Sequence, residues 1–135
     1  MKKLRTPALL AVVAHWMIAI VHLFIAAKIL LPPNNVSWMA IVLITLGHVC
    51  VSLALWKLND RPAGWVVLIF FLCALGADLY EHFLHAAPNN VFMMAAGVWT
   101  AWFNASVVGL LALEILACSL GILLLRGWRT PRATI

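Results

Sequence analysis

Val91 to Leu125 reads VFMMAAGVWTAWFNASVVGLLALEILACSLGILLL, and Glu114 is the one charged residue in it. A helix crosses the hydrocarbon core of a bilayer with about 20 apolar residues. This stretch is longer than that, so as one helix it must tilt, kink or run past the bilayer. Three stretches of the same kind precede it: Pro7–Leu31, Val36–Trp56 and Gly64–Ala87. None alternates polar and apolar residues, as barrel strands would. The whole chain is 66% apolar and only 10% charged, whereas soluble domains run near half apolar and a quarter charged. An ordinary soluble domain, a disordered chain and a disulfide scaffold are excluded. The expected fold is an all-α integral membrane protein, with four transmembrane helices forming a single domain over residues 1–135.

The connections are short: Pro32-Pro33-Asn34-Asn35, then Lys57 to Ala63, then Pro88-Asn89-Asn90. Pro fixes φ, and Asn bonds its own backbone, so both favour turns. Short connections imply antiparallel neighbours and an up-down-up-down bundle. Lys2, Lys3, Arg5, Lys57, Arg61, Arg126, Arg129 and Arg132 all fall on one side of that arrangement. Basic residues flank the cytoplasmic side of membrane spans. The expectation is a bacterial-type inner membrane protein with both termini cytoplasmic. Lys28 is the exception, near the outer end of the first helix, where it can snorkel or pair with Glu81. Trp38, Trp56, Trp65 and Trp128 stand near span ends, as interfacial tryptophans do. The first stretch carries His15 and His22 and outruns the apolar core of a signal peptide, so it reads as a retained helix.

The net charge of +5 does not imply nucleic acid, because the basic residues flank apolar spans and form no binding stripe. Cys50, Cys73 and Cys118 are isolated within apolar spans, and no CxxC is present. They read as small buried hydrophobes. Pro33-Asn34-Asn35-Val36-Ser37-Trp38-Met39-Ala40 is echoed by Pro88-Asn89-Asn90-Val91-Phe92-Met93-Met94-Ala95. That echo implies two tandem helical hairpins, a parallel repeat of the kind found in transporters. Its bland explanation is two similar turns. Gly97, Ala101, Ala105 and Gly109 recur every four residues, a spacing that lets another helix approach closely. Packing within the bundle accounts for it. A homo-oligomer or larger membrane complex is the sharper reading.

The chemistry lies in the ionisable groups. His15, His22, His48, His82 and His85 all fall within expected spans, as do Asp78, Glu81 and Glu114. Such groups are costly in a membrane and mark function by default. Asp78, Glu81, His82 and His85 stand at i, i+3, i+4 and i+7, on one stripe of an α-helix. Carboxylate and imidazole together suit zinc, copper or iron. Counted at about 1.5 Å per residue, His22 lies level with Asp78, and His15 lies level with His48. Two layers follow. The outer layer, His22, Asp78, Glu81, His82 and His85, is the candidate metal site. A hydrogen-bonded network without metal is its structural alternative. The inner layer is His15 and His48, with Asn104 and Glu114 as orienting partners for the ligands.

Three functions are compatible with these layers. A transition-metal protein (enzyme subunit, carrier or assembly factor) would use the outer layer. A histidine on each of two neighbouring helices resembles, in topology and histidine content only, the four-helix b-type cytochromes. That resemblance implies haem b between His15 and His48 and electron transfer. A proton-coupled carrier or channel would use the Asp, Glu and His as a relay. Acid–base chemistry on a lipid by Asp78, Glu81 and His82 ranks below these. No phosphate-binding glycine motif, nucleophile elbow or HExxH helix is present.

Overall fold

The computed structural model describes residues 2–30, 38–86 and 88–126. It contains α1 (Lys2–Leu30), α2 (Trp38–Lys57), α3 (Asp60–Leu79) and α4 (Val98–Arg126), with a π-helical turn, Tyr80–Leu84, prolonging α3. The four apolar stretches thus correspond to four helices, each long and apolar enough to cross a membrane. Their apolar residues cover every face, the pattern of a helix that is surrounded by apolar material. Leu10, Leu43, Leu46, Ile69 and Val108 are each more than half exposed in mid-helix. Apolar surface on that scale needs a non-aqueous cover. Trp38, Trp56 and Trp65 are exposed at helix ends, joined by Trp99 and Trp102 at the start of α4. Trp128, Arg129, Arg132 and the Pro32–Asn35 connection lie outside the described residues.

Two boundaries differ from the sequence reading. α3 starts at Asp60 rather than Gly64. Asp60 is buried and accepts from Arg5 Nε at 2.6 Å, while Arg5 Nη1 donates to the Leu55 carbonyl at 3.1 Å. An acid in the first turn also suits the positive end of the helix dipole. The larger change is in the fourth stretch, where the helix begins at Val98 and residues 91–97 form turns. Part of its excess length is therefore a non-helical connection, and the helix that remains, Val98–Arg126, has 29 residues. Buried Asn90 is the cause: its Nδ2 donates to the His85 carbonyl and its Oδ1 accepts from the Phe92 N–H. A side chain that bonds nearby backbone in this way competes with helix formation. The Val91 N–H is taken by the His82 carbonyl at 3.0 Å.

The proposed repeat is not carried into local structure. Trp38 opens α2, while its counterpart Met93 lies in a turn. The rest of the first copy, residues 33–37, lies outside the described residues.

α4 packs along both α1 and α3, and α2 packs more lightly on the same two helices. The tightest crossing is between α3 and α4. A Cβ added to Gly64 would come within 3.0 Å of the Gly121 carbonyl oxygen, and one on Gly121 within 3.1 Å of the Leu68 nitrogen. Small residues there allow backbone contact that larger ones forbid. The Gly97, Ala101, Ala105, Gly109 stripe plays a lesser part. Gly109 faces Ile18 of α1, while Ala101 and Ala105 are exposed. Of the cysteines, Cys118 is buried, but Cys50 and Cys73 are exposed on apolar helix faces.

Two apolar clusters result. The larger gathers Ala8, Val12, Val51, Leu55, Val67, Phe71, Ala117 and Leu124 near the Arg5–Asp60 contact. The smaller holds Ile25, Phe103 and Val107 against Phe83, Val91 and Met94. His15 and His22 on α1 and Glu114 on α4 fall between the two clusters in sequence; they, His48 and Ser106 are all buried.

Candidate functional site

A cavity of about 530 Å³ is bounded by residues from all four helices. His15 and His22 come from α1, His48 from α2, Asp78 from α3, Glu81 and His82 from the π turn, and Glu114 from α4. The remaining wall is mostly apolar, including Leu23, Ile44, Phe70, Ala74 and Phe103. The size and the few converging polar groups are those of a small-molecule site.

The deep end holds a continuous hydrogen-bonded chain. His48 Nδ1 lies 2.7 Å from the Ile44 carbonyl, His48 Nε2 lies 2.8 Å from His15 Nδ1, and His15 Nε2 lies 3.0 Å from Glu114 Oε1. The polarity of this chain follows from its end. A carbonyl only accepts, so His48 Nδ1 donates. Neutral His48 then accepts at Nε2, and His15 Nδ1 donates to it. The last link needs one proton between His15 Nε2 and Glu114 Oε1. It can reside on the carboxyl or on the imidazole. Phe71 packs edge-on to His15, and Phe70 does the same to His48. The Phe70 ring lies against Gly47, where a Cβ would approach Cε2 to 2.8 Å.

Glu114 has a second oxygen. It is fully buried, and Oε2 has no hydrogen-bond partner. The carboxyl of Asp78 lines the same cavity. Two carboxyls that meet in a water-poor site need a positive charge or a proton between them.

The shallow end is anchored differently. Ser106 Oγ donates to the Phe103 carbonyl at 2.7 Å and so accepts from His22 Nδ1 at 2.9 Å. His82 Nδ1 donates to the Asn89 carbonyl at 3.1 Å. The His22 and His82 rings meet edge to face with centroids 5.1 Å apart, both against Phe103. Each neutral ring therefore turns an unprotonated Nε2 away from its anchor.

The structure divides the expected outer layer. Asp78, His22 and His82 share the cavity, and Glu81 sits at its exposed rim. His85 is outside, its ring stacked on Tyr80 and 3.7 Å from Glu81. A π turn has more residues per turn than an α-helix, so the i, i+7 relation of the α-helical stripe is lost. His85 then leaves the helix with extended backbone. Among the described residues, no three His, Cys, Asp or Glu side chains converge closely enough to hold a metal ion. No ion pair joins Lys28 to Glu81; Asn89 Nδ2 and His85 are the partners of that carboxylate.

The inner layer is brought together, but not around an iron. A metal–nitrogen bond is about 2 Å, so two nitrogens on opposite sides of one ion stand about 4 Å apart. His15 and His48 are 2.8 Å apart with their rings stacked, and haem does not fit between them in this arrangement. Asn104 does not line the cavity, and its Oδ1 is buried without a partner. Glu114, expected as an orienting partner, is bonded to His15 Nε2 and lines the cavity with both layers. Ser106 had no distinguishing signal in the sequence. Compared with known family models, curated proteins and solved structures, the chain matches none.

Proposed function

We propose that this is a four-helix integral membrane protein that works as a proton-coupled carrier, with the Glu114–His15–His48 chain as its proton relay. The helices cross the bilayer alternately. Supporting this, partner numbers fall as α1 numbers rise on α2 (Leu55 at Arg5, His48 at His15) and on α4 (Glu114 at His15, Ser106 at His22), and they rise along α3 and its π turn (Asp60 at Arg5, His82 at His22). Arg5, Lys57, Arg61 and Arg126 then gather at one end, which the positive-inside rule assigns to the cytoplasm of a bacterial inner membrane.

One observation carries the functional reading: the buried, polarity-defined chain from carboxyl to imidazole to imidazole. Linked Asp, Glu and His groups within a membrane form proton relays. The relay also has two sides. His48 lines the main cavity and a separate groove of about 280 Å³ with Trp16, Thr45 and Ser52. Val49 and Ser52 in turn border a groove that reaches Trp56. His48 thus touches both the cavity leading towards Glu81 and the grooves leading towards the basic end.

The test is proton flux into liposomes containing the purified protein, driven by a potassium diffusion potential and read by a trapped pH dye. Flux above that of protein-free liposomes is expected, with His15→Ala and Glu114→Gln reduced to background. Equal flux in wild type and both variants would remove the relay.

A further inference from the structure

We infer that the Asp78–Glu114 carboxyl pair is the binding subsite for an organic ammonium ion, which exchanges there with a proton. This rests on the carrier reading and names the class of its cargo.

The polar lining leads to this ligand. Once the internal hydrogen bonds are assigned, the cavity offers acceptors and almost no donors. Neutral His22 has given its Nδ1 proton to Ser106, and neutral His82 has given its own to the Asn89 carbonyl. No hydrogen bond engages either Nε2 among the described residues, so each presents a lone pair. Glu114 Oε2 is fully buried and unpartnered, and Asp78 lines the same cavity. A ligand that satisfies these groups must bring N–H donors and positive charge.

The remainder of the cavity selects among cations. Its volume of about 530 Å³ and its walls of Leu23, Ile44, Phe70 and Phe103 suit an organic body rather than a bare ion. The faces of aromatic rings also favour cations. A transition metal would need three or four donors converging at about 2.0–2.3 Å, and no such group exists among the described residues. An ammonium nitrogen tolerates acceptors spread around it at ordinary hydrogen-bond distances.

The exchange balances. With the subsite empty, the Asp78 carboxyl carries a proton and is neutral. When R–NH₃⁺ enters, that proton leaves to water and the net charge of the cavity is unchanged. The groups facing the pair are His15 and His22 from α1, His48 from α2, and His82 and Glu81 from the π turn. His15 is bonded to Glu114 directly and is the path by which the proton reaches the relay.

The experiment is calorimetric titration of the detergent-purified protein with phenethylammonium chloride, repeated in buffers of different ionisation enthalpy. Phenethyl alcohol, the uncharged isostere, and zinc chloride are titrated in parallel. Saturable binding of the amine with release of about one proton per ligand is expected. Asp78→Asn and Glu114→Gln should each weaken it by roughly thirtyfold or more, as expected when a buried charge loses its partner. Thermal unfolding of each variant in the same detergent separates loss of the site from loss of the fold. Equal binding of the alcohol, unchanged amine affinity in both folded variants, or tight binding of zinc in place of the amine would overturn the proposal. Proton flux in liposomes without amine is read separately. If flux depends on His15 and Glu114 while the amine fails to bind, the relay stands and the cargo is wrong.

Discussion

Near Arg5 and Asp60, the helices meet through glycine, alanine and valine, with Phe71 and Leu124 filling the space between. Two helical turns beyond Phe71 along α3, at Asp78, the facing side chains are acids and imidazoles around a cavity. The same four helices build both regions. In a bilayer the lipid is as apolar as the core, so the first region is held by close van der Waals contact and by the Arg5–Asp60 pair. The second has given up that contact, because polar groups must satisfy one another or a ligand, and they do so incompletely. Glu114 Oε2 is the buried oxygen left unpartnered in the cavity wall among the described residues. The contrast is between a region that stabilises the bundle and one whose polar surplus is available for chemistry.

Substitutions can break or sharpen this comparison. The largest expected effect is on transport. Glu114→Gln keeps a donor for His15 Nε2, so the fold should survive while proton flux falls by at least roughly tenfold, as when a positioned proton-transfer group is removed. Unfolding of this variant in mild detergent would instead place Glu114 among the stabilising groups. Next is Gly121→Val, which forces a side chain against the α3 backbone. A loss of about 3 kcal/mol or more is expected, the upper range for overpacking, measured by denaturant titration in detergent micelles. Retained stability would mean the α3–α4 crossing is looser than described.

Asp60→Asn removes the charge facing Arg5, whose side chain is partly exposed. That exposure tempers the cost to about 1–2 kcal/mol. Proton flux in the folded fraction should be unchanged, and a change would link the two regions. The smallest effect belongs to His85→Ala. Its contact with Glu81 is about half exposed, so stability should move by less than about 0.5 kcal/mol. Flux should match wild type. A large loss of flux would return His85 to the site from which the π turn removes it.

The pattern of legible and illegible residues follows from how far each inference had to reach. That His15 meets His48, and that His22 and Asp78 line one cavity, was readable from depth along the helices, because helical rise is uniform. The stripe through His85 was misleading, because no local pattern announces a π turn. It is stabilised from outside, by Asn90 and the Val91 N–H taking up backbone groups at its end. The late start of α4 has the same origin, since apolar residues 91–97 look helical until Asn90 captures the chain. Glu114 was legible only as an orienting partner, because its bond to His15 joins helices far apart in the sequence.

Composition and the length of the apolar runs were enough to determine four helices of membrane-spanning character, and the spacing of ionisable residues was enough to place polar layers within them. Those properties are local and additive, so a linear chain displays them. Which lone pairs stay unpaired, which way the proton chain points and where the cavity lies were decided only by tertiary structure. Each depends on how side chains meet in three dimensions: the Ile44 carbonyl one turn back on α2 orients His48, and the Ser106 hydroxyl on α4 orients His22 of α1.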